Sequence, residues 1–77
     1  MTSEVRWHLT YSDTVVAEPI VSALTAEFGL VTNIRRADVR DHVAWVILDV
    51  HGDHPQLDAA RAWLEQRGLH VSVLTQD

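Results

Sequence analysis

This sequence predicts an α+β fold, a four-stranded antiparallel sheet and two helices in the order β-α-β-β-α-β. Three observations carry that expectation. The apolar pattern switches repeatedly between period 2 and helical spacing. Both helical stretches run into a glycine, at Gly29 and Gly68. The chain has 77 residues, enough for one small domain and no more. That domain is taken to span residues 1–77, with frayed ends and a core over about 4–75.

The first strand is the segment from Val5 to Tyr11, where Val5, Trp7, Leu9 and Tyr11 alternate with polar residues and share one face. Ser12, Asp13 and Thr14 follow as a turn and helix-cap cluster. From Val16 the spacing becomes helical, with Val16, Ile20, Ala23, Leu24 and Phe28 on one stripe. Pro19 then belongs to the first turn, where its missing N–H costs nothing. Leu30 to Asp38 returns to extended character through Val31, Thr32 and Ile34.

The charged stretch Arg35 to His42 is read as a strand end and a hairpin turn around Arg40-Asp41-His42. No Asn-Gly or Asp-Gly pair sets the turn type, which stays open. Val43 to Val50 is apolar on both parities until Asp49, the pattern of a strand buried on both sides. Gly52-Asp53-His54-Pro55 starts a second helix, with Asp53 or His54 as N-cap. Leu57, Ala60 and Leu64 form its core stripe and Trp63 flanks it. Leu69, Val71 and Val73 make one face of the last strand. With right-handed crossovers, this order places both helices on one side of the sheet, the ferredoxin-like arrangement.

Composition narrows the function. Apolar residues make up 47% of the chain, which suits a folded domain and excludes wholesale disorder. Six basic against eleven acidic side chains give a formal charge of −5. That balance argues against nucleic acid and against an anionic membrane surface as partners. The absence of cysteine excludes disulfides, thiol catalysis and cysteine-ligated metal centres. No basic segment leads into an apolar run at the start, so no signal peptide is expected. The longest apolar run, Val43 to Leu48, is far short of the roughly twenty residues of a membrane span. A soluble cytoplasmic protein is expected, without direct membrane insertion. Five histidines stand out; protonating them all would bring the charge from −5 to zero, lowering solubility towards pH ~5.

The face opposite the helices is the informative surface. Taking Val5/Trp7/Leu9 as core parity, that face receives Arg6, His8, Thr10, Trp45, Ile47, Asp49, His70, Ser72 and Leu74. Trp45, Ile47 and Leu74 exceed what a solvated face of this size usually carries. They are assigned to a homodimer interface. Scattered surface apolar residues are the plain alternative, but burying a tryptophan also relieves a thin core.

Catalysis finds little support. His51-Gly52-Asp53-His54 puts two imidazoles and a carboxylate close together, yet a closed zinc site needs four ligands and none of the others lies nearby in sequence. His8 and His70 would approach each other if the first and last strands pair; surface histidines or helix caps are the better explanation. No Gly-x-Ser-x-Gly elbow frames a serine, and the three isolated glycines make no phosphate-binding loop. The acids are dispersed, and a chain this small hardly forms a cleft alone. RNA-binding domains of similar topology present aromatics on the central strands, but Trp7 reads as core. A binding protein is expected, not an enzyme, with no cofactor and no metal.

The ordered set Glu18-Pro19-Ile20-Val21-Ser22, Glu27-Phe28-Gly29, Thr32-Asn33-Ile34, the apolar strand into His51-Gly52, and Ala62-Trp63-Leu64 through Val71-Ser72-Val73-Leu74 resembles the NIL domain, a family named for an Asn-Ile-Leu tripeptide. It is similar to the C-terminal regulatory domain of ATPase subunits in methionine-importing ABC transporters. The resemblance implies an ACT-like regulatory module that pairs as a dimer and senses an amino acid, methionine or a related sulfur amino acid leading. It places ligand contacts at Asn33, Ile34 and Arg35. Two departures bear on that site. Arg35 stands where the family motif has leucine, and the Ala37–Ala44 hairpin is short and lacks glycine.

Physically, the Asn33 amide offers both donor and acceptor to an amino acid's charged ends, or satisfies backbone at a strand kink. Arg35 is read first as an edge-strand charge that blocks aggregation, with bidentate carboxylate recognition as its alternative. The functional expectation is a homodimeric small-molecule sensor. The alternative is a ligand-free interaction subunit that docks onto a transporter or a metabolic enzyme.

Overall fold

A computed structural model of the chain describes residues 2–12 and 20–76. Its elements are β1 (Thr2–Ser12), α1 (Ile20–Phe28), β2 (Val31–Arg40), β3 (Val43–Asp53), α2 (His54–Gln66) and β4 (His70–Gln76). The predicted β-α-β-β-α-β order is the observed one. The four strands form one sheet in the order β2-β3-β1-β4, every neighbouring pair antiparallel. β2 and β4 are therefore the edges.

Alternation makes the strands two-faced. Val5, Trp7 and Leu9 of β1 and Ala44, Val46, Leu48 and Val50 of β3 are buried. They pair directly across the sheet, Val5 with Val50, Trp7 with Leu48 and Leu9 with Val46. Ile20 and Leu24 of α1 and Leu57, Ala60 and Leu64 of α2 pack on that face and complete the core with Leu30, Leu69 and Val71. A fully buried leucine is worth about 1.5–3 kcal/mol over an exposed one, so this layer holds the chain together.

The helix ends follow local chemistry. The Asp53 N–H donates to Gln56 Oε1 at 2.9 Å, which identifies Asp53 as the cap residue, with Pro55 in the first turn. At the far end Gly68 takes φ +89°, and the N–H groups of Gly68 and Leu69 return to the carbonyls of Glu65 and Leu64. That left-handed closure is the Schellman arrangement, which favours glycine. The first helix is described from Ile20; its expected start at Val16 to Pro19, and Asp13-Thr14 of the cap cluster, lie outside the described residues.

The charged stretch after Ile34 is the expected strand end and hairpin turn, with β2 pairing with β3 as far as Arg40–Val43. The turn, whose type the sequence left open, is Asp41 and His42 at φ +50° and +65°; positive φ at both central residues is the type I′ requirement, and Asp and His tolerate it better than most side chains. Two expectations change. β3 is not buried on both sides. Trp45, Ile47 and Asp49 are only half-buried, because the helices cover one face alone. Val73 lies opposite Trp7 on the helix side but is 40% exposed. It sits on an edge strand beside a small cleft under the first turns of α2, shared with Leu57 and Arg61.

Candidate functional site

The uncovered face of the sheet brings the singled-out residues together. Antiparallel partners share a face, so register assigns each side chain. Thr10 and Asp38 flank Trp45, His8 lies opposite Ile47, and Arg6 and Asn33 lie on either side of Asp49. Near the centre the His8 and Trp45 rings stack, 5.7 Å apart and inclined by 24°. This contact covers part of the tryptophan from water and leaves the rest available.

Beside the stack is a charge cluster built on Asp49. Arg6 Nε donates to Asp49 Oδ1 at 2.7 Å and Arg6 Nη2 to Oδ2 at 3.3 Å. Arg35 Nη1 approaches Oδ2 at 3.7 Å, an ion pair too long for a hydrogen bond. The hydrogen bond from Arg6 holds the Asp49 carboxyl below its ordinary range; desolvation opposes this, and the charges of Arg6 and Arg35 add to it. The same hydrogen bond raises the Arg6 guanidinium above its ordinary value. Asp49 is therefore an anion at neutral pH. A second pair joins Arg40 Nε to Asp38 Oδ2 at 2.7 Å.

The predicted site residues divide. Asn33 and Arg35 share the open face with Asp49. Ile34 pairs with Leu48 and so lies on the helix side, where it is 53% exposed. Of the predicted pairing residues, Trp45 and Ile47 are neighbours on β3 and half-buried. Leu74 is 50% exposed and falls at a register shift, where β4 passes from Val73 opposite Trp7 to Thr75 opposite Arg6. Alternation no longer assigns its side there.

The histidines do not converge. His8 lies opposite Ser72 and His70 opposite Thr10, so the two are diagonal neighbours on paired strands. His54 Nε2 lies 2.9 Å from Ser3 Oγ, while His51 is exposed between Val31 and Glu4. Among the described residues no group of three or more His, Cys, Asp or Glu side chains comes together to hold a metal ion. No helix among them is long and apolar enough to cross a membrane.

Sequence reasoning missed two features. A cavity of about 440 Å³ opens on the helix layer, lined by Ile20, Ala23, Ala26, Trp63 and Arg67 among others; Arg67 lies over the Trp63 ring at 4.2 Å, and Phe28 meets that ring edge-on. Asn33, Ile34 and Arg35 do not line it. The second is charge segregation. Arg6, Arg35, Arg36 and Arg40 share the open face with Glu4, Asp38 and Asp49. Around Asp49 the three guanidinium groups of Arg6, Arg35 and Arg36 outnumber the one carboxylate, a local positive excess in a chain of formal charge −5. Whole-chain composition conceals this; only register reveals it.

Comparison with known proteins agrees with this architecture. Residues 5–73 match the NIL domain family. Among solved structures, the chain is similar to the C-terminal domain of an ABC transporter ATP-binding protein from Enterococcus faecalis, at a TM-score of 0.77 and 16% identity, covering 91% of this chain and 82% of that one. It is similar to prephenate dehydratase from Streptococcus mutans at 0.68 and 17% identity, over 96% of this chain and 42% of that one. The de novo designed protein Foldit4 superposes at 0.58 with 9% identity, over 97% and 98% of the two chains. At such identities these likenesses speak to the fold. No curated protein matches the chain.

Proposed function

The chain belongs to the NIL domain family, and from that premise we propose that it is a regulatory module that binds a small molecule, methionine or a related sulfur amino acid, as a cytoplasmic homodimer. The observation that carries this reading is the meeting of Asn33, Arg35 and Asp49 on one open face beside the half-buried Trp45 and Ile47. Amide, guanidinium and carboxylate together answer both charged ends of an α-amino acid. The adjoining apolar surface suits a thioether side chain. Exposed on a single protomer, these groups become an enclosed site when a second copy covers the face, so pairing and ligand binding are expected to reinforce one another. The module acts by binding and carries out no chemistry of its own. Likeness to a domain of a transporter ATP-binding protein makes such a transporter the leading partner.

Calorimetry and thermal-shift measurements with the twenty amino acids test the reading. A ligand at a hundredfold its dissociation constant raises stability by about 2.7 kcal/mol, and sedimentation in its presence should show a dimer. Silence from all twenty, with a monomer throughout, rejects it in favour of a subunit that docks onto a transporter or a metabolic enzyme.

A further inference from the structure

We propose that Arg35 and Arg36, turned to the same side of the sheet by the irregularity in β2, form with Asn33 a binding site for a small carboxylate. In a regular strand successive side chains alternate, so an Arg-Arg dipeptide would straddle the sheet with one guanidinium on the helix side. The register shift between Ile34 and Arg36 removes that alternation. Arg35 reaches Asp49 across the open face, and Arg36 pairs opposite Ile47 on that same face. Re-aiming a side chain in this way is what a β-bulge does.

Two adjacent guanidinium groups on one face repel, and the acids nearby do not neutralise both. Asp49 accepts from Arg6 at 2.7 and 3.3 Å, keeping one lone pair per oxygen for other donors, and meets Arg35 only at 3.7 Å. Asp38 is held by Arg40 at 2.7 Å. Arg36 is exposed and has no ion-pair partner among the described residues. An incoming carboxylate accepts charge-assisted hydrogen bonds from both guanidinium groups. Asn33, two residues before Arg35 and on the same face, adds an amide donor. The local excess of positive charge draws an anion to this surface of an otherwise acidic molecule.

The inference rests on the proposed amino-acid reading, to which it adds the groups that recognise the ligand's α-carboxylate. An inorganic oxyanion offers the same chemistry, so the test separates the two. Calorimetry on the full chain uses L-methionine, methionine amide, in which the carboxylate is replaced by a neutral amide, and sodium sulfate. Wild type is compared with Arg35→Gln and Arg36→Gln. L-methionine is expected to bind at least about tenfold more tightly than the amide, and each variant to lose at least about fivefold in methionine affinity, with an unchanged melting temperature. Equal binding of methionine and its amide, or variants that bind methionine as wild type does, overturns the site and leaves the amino-acid reading standing. Sulfate heat that disappears in both variants, with methionine silent, supports the anion site and rejects the amino-acid reading. Silence from all three ligands rejects both.

Discussion

The two faces of this sheet are made from the same strands yet obey different rules. On the helix side, Leu9, Leu48 and Val50 are excluded from solvent entirely, and apolar packing decides what each position tolerates. On the open side, at the intervening positions, lie a stacked His8–Trp45 pair, the Arg6–Asp49–Arg35 cluster and Asn33. The first face is satisfied within one protomer. The second keeps half-buried apolar groups and positive charge to spare. Folding of this 77-residue chain uses one face of the sheet and leaves the other free to evolve recognition.

Adjacent residues on β3 separate the two faces most sharply. Leu48→Ala should cost about 2–5 kcal/mol by leaving a cavity in the core. Ile47→Ala, one residue away on the other face, should cost about 1 kcal/mol or less in the isolated protomer. Urea denaturation of both variants measures the gap, and equal costs would show that the faces are not so divided. Gly52→Ala probes the helix side from its edge. A methyl group there would run into the Leu30 side chain beneath, and a loss of about 1–3 kcal/mol is expected from overpacking.

On the open side, Trp45→Lys should weaken homodimer formation by at least about tenfold, the scale of losing an aromatic anchor, while circular dichroism stays native. Sedimentation that still shows a full dimer would remove Trp45 from the interface. Asn33→Ala should reduce amino-acid affinity by about tenfold, the loss of one or two hydrogen bonds, with the melting temperature unmoved.

Acid provides the mildest test. The Asp49 carboxyl is held below its ordinary range in the folded chain, foremost by the hydrogen bond from Arg6. In the unfolded chain it therefore takes up its proton at a higher pH than in the folded one. Its stabilising contribution is complete above the ordinary carboxylate range and is lost as pH falls through the lowered value. Asp49→Asn should flatten this part of the acid-unfolding profile relative to wild type. A core variant such as Leu48→Ala should shift the whole profile without changing its shape there.

Much of the fold was legible in the order of residues because burial imposes a period. Val5/Trp7/Leu9 and Leu57/Ala60/Leu64 announce a half-covered strand and a one-sided helix, and the structure places both groups in one core. The same rule assigned Trp45 and Ile47 to the open face. It over-read β3, since an apolar run looks alike whether its second face is covered by helices or left half-buried. At Leu74 alternation assigns no side, and at Arg35-Arg36 counting by two would have separated neighbours that share a face, because register shifts break the count.

Periodicity and turn chemistry in the chain alone were enough to fix the elements, their order and the core stripe on each, while the ordered motifs carried the likeness to the family. Tertiary structure alone decided which charges meet. Arg6 and Asp49 are forty-three residues apart and become partners only when β1 and β3 align, and Arg35 joins Arg36 on one side only because β2 slips against β3. Register is set by how a whole strand packs, a cooperative choice that no single segment contains.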